Sequence, residues 1–115
     1  MSKSLTCFTT YVSGTSGYNI WSNGYCEQWG VATHPKFSAN TGSSNTITFV
    51  KTFVNSSYNF TITMKTDAGN TVGLRSQSVS PSANKIQVNW WTTSQLNNTG
   101  TYYWRACGYL ADNQY

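Results

Sequence analysis

Hydrophobic and polar residues alternate most cleanly over residues 58–65: Tyr58, Phe60, Ile62 and Met64 share one side, and Asn59, Thr61, Thr63 and Lys65 the other. A period of two means a half-buried antiparallel strand, because successive side chains of a strand point to opposite faces. The pattern returns over residues 83–93, with Ile86, Val88 and Trp90 on one side and Lys85, Gln87, Asn89 and Trp91 on the other. A third run, 46–54, sets Ile47, Phe49 and Phe53 together, with Lys51 interrupting it. Val72 and Leu74 open a weaker strand that reaches about Val79 and stops at Ser80-Pro81-Ser82, and residues 101–110 form a closing strand. Between these runs, residues 38–45, 55–57, 67–70 and 96–100 read as loops or turns from their Ser, Asn, Asp and Gly content. Nothing has the period of a helix. The pattern predicts an all-β domain, an antiparallel β-sandwich of about seven short strands with no substantial helix.

The sharpest local signal is Asn23-Gly24, set between runs rich in aromatic and β-branched residues. Both residues tolerate positive φ, which a type I′ turn needs at its two central positions, so the dipeptide predicts a two-residue hairpin. Trp21 then faces Cys26, Ile20 faces Glu27, Asn19 faces Gln28 and Tyr18 faces Trp29. In that register Tyr18, Ile20, Tyr25, Glu27 and Trp29 form the core face, and Asn19, Trp21, Cys26 and Gln28 the other. Glu27 is the awkward member, since a buried carboxylate needs a partner. His34-Pro35-Lys36 ends the hairpin, because proline cannot donate to a ladder.

Composition sharpens this picture. The chain has 115 residues, room for one domain with a single core. Charged residues are only 9%, against roughly 25% in an ordinary soluble domain. Aromatics reach 16%, the reverse of a disordered composition. The formal charge of +4 comes from seven basic residues scattered along the chain, no two adjacent. Phosphate binding usually shows a clustered stripe, so no nucleic-acid partner is expected.

Candidate chemistry is sparse. Cys7, Cys26 and Cys107 are odd in number and widely spaced, and His34 is the lone histidine. No zinc pattern results, and neither metal nor cofactor is expected. Free thiols are expected, and a Cys26–Cys107 bridge would require the strands bearing them to be neighbours. The acids are Glu27, Asp67 and Asp112, of which Asp67 falls in a turn and Asp112 in the tail. Glycoside cleavage needs two carboxylates flanking a bond, so no enzyme is expected. A Cys26–His34 pair would sit roughly 27 Å apart on an extended strand. No basic region followed by an apolar run opens the chain, and no apolar stretch is long enough to insert in a membrane. The three Asn-x-Ser/Thr triplets, at Asn55, Asn59 and Asn97, reflect composition.

What remains is aromatic. If Ile86, Val88 and Trp90 face the core, Trp91 faces outward beside Asn89 and Gln87. Such a tryptophan lines a subunit interface, or carries a sugar ring on its face while the amides bond its hydroxyls, or is covered by a loop of its own chain. Tyr103, in the run Tyr102-Tyr103-Trp104, and Trp21, near the hairpin tip, pose the same choice. Trp91, Asn89, Gln87, Tyr103 and Trp21 are the candidate ligand-binding residues.

The hairpin, Tyr-x-Ile-Trp-Ser-Asn-Gly-Tyr-Cys-Glu-Gln-Trp-Gly from Tyr18 to Gly30, preceded by residues 11–17, resembles the small C-terminal domains of bacteriophage tail fibres. Val50-Lys51-Thr52-Phe53 followed by Ser57-Tyr58 resembles that family's second strand pair, and residues 103–109 its closing strand. The resemblance spans residues 11–110. It implies a receptor-binding domain at the distal tip of a viral fibre, homotrimeric because phage fibres are threefold, made in the host cytoplasm and carried on the virion. The implied partner is a bacterial surface glycan, polysaccharide or lipopolysaccharide. Residues 1–17 are then a lead-in from a shaft with room for a short strand, 18–110 the tip domain and 111–115 a loose tail, the whole a fragment of a longer fibre. The rival expectations are a cap that only registers three chains and a polysaccharide-degrading enzyme.

Overall fold

The computed structural model describes residues 6–34, 38–65, 76–92 and 99–115. Its strands are β1 (Cys7–Ser13), β2 (Ser16–Trp21), β3 (Tyr25–His34), β4 (Thr41–Thr48), β5 (Asn59–Met64), β6 (Ser76–Pro81), β7 (Lys85–Thr92) and β8 (Gly100–Tyr109). They form two antiparallel sheets, β1-β2-β3-β8-β5 and β4-β7-β6. The β-sandwich expected from the alternation is therefore present. The strand beyond the seven is β1, in the lead-in that had room for a short strand.

The hairpin carries the main correction. Ile20 pairs with Cys26, Asn19 with Glu27, Tyr18 with Gln28 and Gly17 with Trp29, one residue away from the expected register. Asn23 does not adopt positive φ, whereas Gly24 does at +88°, and the Gly24 N–H donates to Trp21 O at 2.9 Å. The loop therefore holds three residues, with glycine as the left-handed one, the other common way to close a hairpin. Asn23 works differently from the type I′ role: its Oδ1 accepts from the Tyr25 N–H at 3.0 Å.

A one-residue slip exchanges the faces of a strand relative to its partner. Cys26 and Gln28 thus enter the core with Ile20, while Tyr25, Glu27 and Trp29 turn outward. Glu27, the misfit of the expected core, escapes burial and pairs with Arg105 of β8. Gln28 is the buried polar residue instead, at 1% exposure. Its Nε2 donates to Lys51 O at 2.8 Å and its Oε1 accepts from the Lys51 N–H at 3.0 Å.

The second correction is β4. Residues 41–45 were expected as loop, yet they pair along β7 from Thr41↔Thr92 to Asn45↔Val88 and continue as a strand to Thr48↔Lys85. Ser, Thr and Asn are compatible with a strand when a neighbour supplies the ladder and alternate side chains face solvent, as the burial pattern of β4 shows. Beyond β4 the chain leaves the sheet; Phe53 makes an isolated bridge to Leu110, and the Val54 N–H donates to Tyr109 O at 2.9 Å. Phe49 and Phe53 remain buried and pack with Tyr58 at centroid distances of 5.2 and 4.5 Å.

The core lies between the sheets. Ile47 of β4 and Ile86, Val88 and Trp90 of β7 meet Ile20, Cys26, Tyr102 and Ala106. Burying each large apolar side chain contributes on the order of 1.5–3 kcal/mol. Asn45 ties the sheets together: its Oδ1 accepts from Trp90 Nε1–H at 2.8 Å and its Nδ2 donates to the Tyr102 hydroxyl. The expected weak strand is described only in its second half, as β6; Val72 and Leu74 lie outside the described residues, as do Asp67 and the loop at 96–98.

The last five residues, expected as a loose tail, dock. The Ala111 N–H donates to Thr52 O at 3.0 Å, and the Thr52 N–H donates to Gln114 Oε1 at 3.1 Å. The Tyr115 ring covers Gly24, where a Cβ would come within 2.6 Å of it.

Candidate functional site

Each sheet turns one face to solvent, and the candidate residues divide between them. On the three-stranded sheet, alternation along β7 sends Lys85, Gln87, Asn89 and Trp91 outward, as expected from the sequence. Gln87 Nε2 donates to Asn89 Oδ1 at 2.8 Å, and Asn89 Nδ2 faces the Ser80 and Ser78 hydroxyls at 3.2 and 3.4 Å. Trp91 is 43% exposed and lies across from Gly42. A Cβ there would stand 3.4 Å from the ring. The result is an indole beside a row of prearranged amides and hydroxyls, with Lys85 at one end of the strand.

Tyr103 and Trp21 are not part of that face. They point outward from the five-stranded sheet, on the opposite side of a molecule measuring 57 × 25 × 22 Å, so one sugar ring cannot touch both sets. Nor do they meet each other. Trp21 packs against Tyr25, whose cross-strand partner is Tyr109, and Tyr103 lies six residues away along β8, roughly 20 Å at strand spacing. Tyr103 borders a shallow recess of about 280 Å³ with Trp29, Thr61, Thr63 and Arg105.

The hairpin end of this face holds residues that sequence reasoning placed in the core. Trp21 and Tyr25 meet edge to face at 6.0 Å, and Tyr25 and Tyr109 at 5.3 Å. With Asn23 and Glu27 these rings line an open groove of about 450 Å³. Arg105 bonds Glu27 Oε2 and stands 6.0 Å over the Trp29 ring. Burial, and then the neighbouring Cys107 thiol, push the Tyr25 hydroxyl above its ordinary pKa, so it stays protonated. Tyr109, at 55% exposure, was findable from the sequence: it follows Tyr103, Arg105 and Cys107 on the same side of the strand.

The thiols are free. β3 and β8 are neighbours, but Cys26 pairs with Gly108 and Cys107 with Glu27, so the two sulfurs point to opposite faces of the sheet. Burial, with Cys107 adding in the same direction, pushes Cys26 up to about 12, which removes it as a nucleophile at neutral pH. Among the described residues no three His, Cys, Asp or Glu side chains gather. The side chain of His34 lies outside the described set.

The profile of the gp53-like tail fiber protein C-terminal region matches residues 19–109 of this chain. The chain belongs to that tail-fibre family. A tail-fibre domain is a component of the virion. No curated protein sequence matches the chain. Two solved structures share the fold. One is the R2 pyocin fiber of P. aeruginosa, comprising C-terminal residues 323–691, with TM-score 0.51 and 22% identity over 87% of this chain and 25% of that one. The other is an N-truncated R2-type pyocin tail fiber, with TM-score 0.52 and 16% identity over 94% of this chain and 39% of that one. The tail-fibre domain thus spans between a quarter and two-fifths of those fibre chains.

Proposed function

We propose that this tail-fibre domain binds a bacterial surface glycan, a polysaccharide or lipopolysaccharide, during host adsorption, at the distal end of a homotrimeric fibre. The observation that carries the reading is the exposed Trp91 indole in line with Asn89 and Gln87. A pyranose lays its C–H face on an aromatic ring while amides and hydroxyls bond its rim, the mix of apolar platform and few polar groups usual in small-ligand sites. A sugar on an open sheet face meets few groups, so each site is weak. Three copies on one fibre would raise avidity by about 10²–10⁴ over a single site.

Binding without chemistry is supported by the state of the described acids. Glu27 is ion-paired through Oε2 with Arg105, and Asp112 sits in the C-terminal turn. Glu27→Gln should then leave the reducing ends released from purified glycan at the background of buffer alone.

The test is retention on an array of bacterial surface glycans, together with adsorption to cells, for the wild type and Trp91→Ala. The proposal expects at least a tenfold loss in Trp91→Ala, partial rescue by Trp91→Phe, and an unchanged circular dichroism spectrum. A wild-type domain that retains no glycan and does not adsorb to any cell overturns it. So does Trp91→Ala, should it change the mass in solution and leave glycan retention intact, for Trp91 then belongs to a seam between copies.

A further inference from the structure

The groove at the hairpin end of the five-stranded sheet has the chemistry of a second saccharide subsite. We infer that it takes an uncharged hexose or N-acetylhexosamine unit, seated on Tyr109 and Trp21 and bonded at its rim by Glu27 and Asn23. The inference rests on the glycan-binding reading above and adds to it a separate site and a ligand charge.

Three observations carry it. The floor is aromatic and continuous, since Trp21, Tyr25 and Tyr109 stand edge to face at 6.0 and 5.3 Å, and Tyr109 remains more than half exposed. Rings held by one another lose little rotamer freedom when a ligand arrives, which favours a platform over loose side chains. The polar atoms are complementary to hydroxyls. Asn23 Oδ1 is taken by the Tyr25 N–H, which orients the amide and leaves its NH2 as donor. Arg105 engages Glu27 Oε2, and among the described residues none bonds Oε1, which remains an acceptor. A sugar hydroxyl both donates and accepts, so a carboxylate oxygen and an amide NH2 on one groove suit two neighbouring hydroxyls.

The charge follows from the same contacts. The groove presents a carboxylate, and the described cation beside it is bonded to that carboxylate, so among the described residues an anionic sugar meets repulsion without a free positive partner. Uronic acids, sialic acids and phosphorylated sugars are therefore disfavoured.

The five tryptophans supply local probes, because each indole N–H gives its own NMR signal. The domain is titrated with neutral hexose and N-acetylhexosamine oligosaccharides and, separately, with uronic- and sialic-acid oligosaccharides, following the Trp21 and Trp91 signals. The expected result is a saturable shift of Trp21 with a neutral oligosaccharide, reduced at least tenfold in affinity by Tyr109→Ala and by Glu27→Gln, and retained in Trp91→Ala. Tyr109→Phe, which keeps the ring, should bind near wild type. A shift of Trp91 alone, with Trp21 still, overturns the groove and leaves the glycan reading standing. Preference for the acidic oligosaccharides overturns the assigned charge. If Tyr109→Ala alters the mass in solution while the Trp21 response persists, the groove is a contact between copies and the inference fails. If no oligosaccharide moves either signal and the glycan array is blank, both readings fall together.

Discussion

Gln28 and Lys51 are joined by two hydrogen bonds, the glutamine amide meeting the N–H and C=O of one lysine backbone at 3.0 and 2.8 Å. A side chain here completes a pairing that a neighbouring strand would otherwise supply. It satisfies the connection between β4 and β5 where that connection crosses the core, as buried backbone groups require.

Removing the amide should be costly. Gln28→Ala strands two backbone groups and opens a small cavity, with an expected loss of about 2–4 kcal/mol. Gln28→Glu keeps the shape but loses the donor, and it should be at least as damaging at neutral pH. Urea denaturation of the two variants measures this; a loss under about 0.5 kcal/mol in both would mean that water replaces the amide.

Asn45 makes an analogous link between sheets, through Trp90 and Tyr102. Asn45→Ala removes both bonds and should cost about 1–3 kcal/mol. Tyr102→Phe removes one hydroxyl and should cost nearer about 1 kcal/mol. The double variant should fall short of the sum, because the two residues share one bond. Strict additivity in a thermodynamic cycle would contradict the network.

Stability should decline in alkali. Cys26 is raised from 9.0 to about 12 by burial, and burial raises Tyr102 and Tyr58 above 10.0. Each of these acids is neutral in the fold and ionises earlier in the unfolded chain, so the unfolded state holds fewer protons above about pH 9. The stabilisation is complete below that point and is lost as pH climbs towards the folded-state values. Denaturation midpoints from pH 7 to 11 should fall, less steeply in Cys26→Ala. At pH 8 the exposed Cys7 should react with a thiol reagent while Cys26 stays protected until unfolding.

The Arg105–Glu27 pair should contribute little to stability. Arg105 is half exposed, and surface pairs contribute about 0–1 kcal/mol. Arg105→Ala should therefore shift the urea midpoint only slightly, and 1 M salt should erase the difference. A large loss would mean that Arg105 supports the fold through its stacking on Trp29.

The outward and inward sides of β5 and β7 were legible because their alternation is uninterrupted, and so the exposure of Trp91 beside Asn89 and Gln87 followed. The groove was not legible. Asn23-Gly24 marks a hairpin equally well for a two-residue or a three-residue loop, and that single residue decides whether Tyr25 and Glu27 line the core or the surface. Residues 41–45 misled through composition, since Ser, Thr and Asn read as loop until β7 is seen to pair with them.

Periodicity and turn dipeptides by themselves determined that this chain is an antiparallel β-sandwich, because local sterics and side-chain alternation need no partner to be read. Its kinship with tail fibres came from the resemblance of the hairpin motif to a known family. Register, the burial of Gln28, and the division of the aromatic residues between two opposite faces were decided only by the tertiary structure. Those depend on which strands meet and at what offset, and contacts between residues distant in sequence set both.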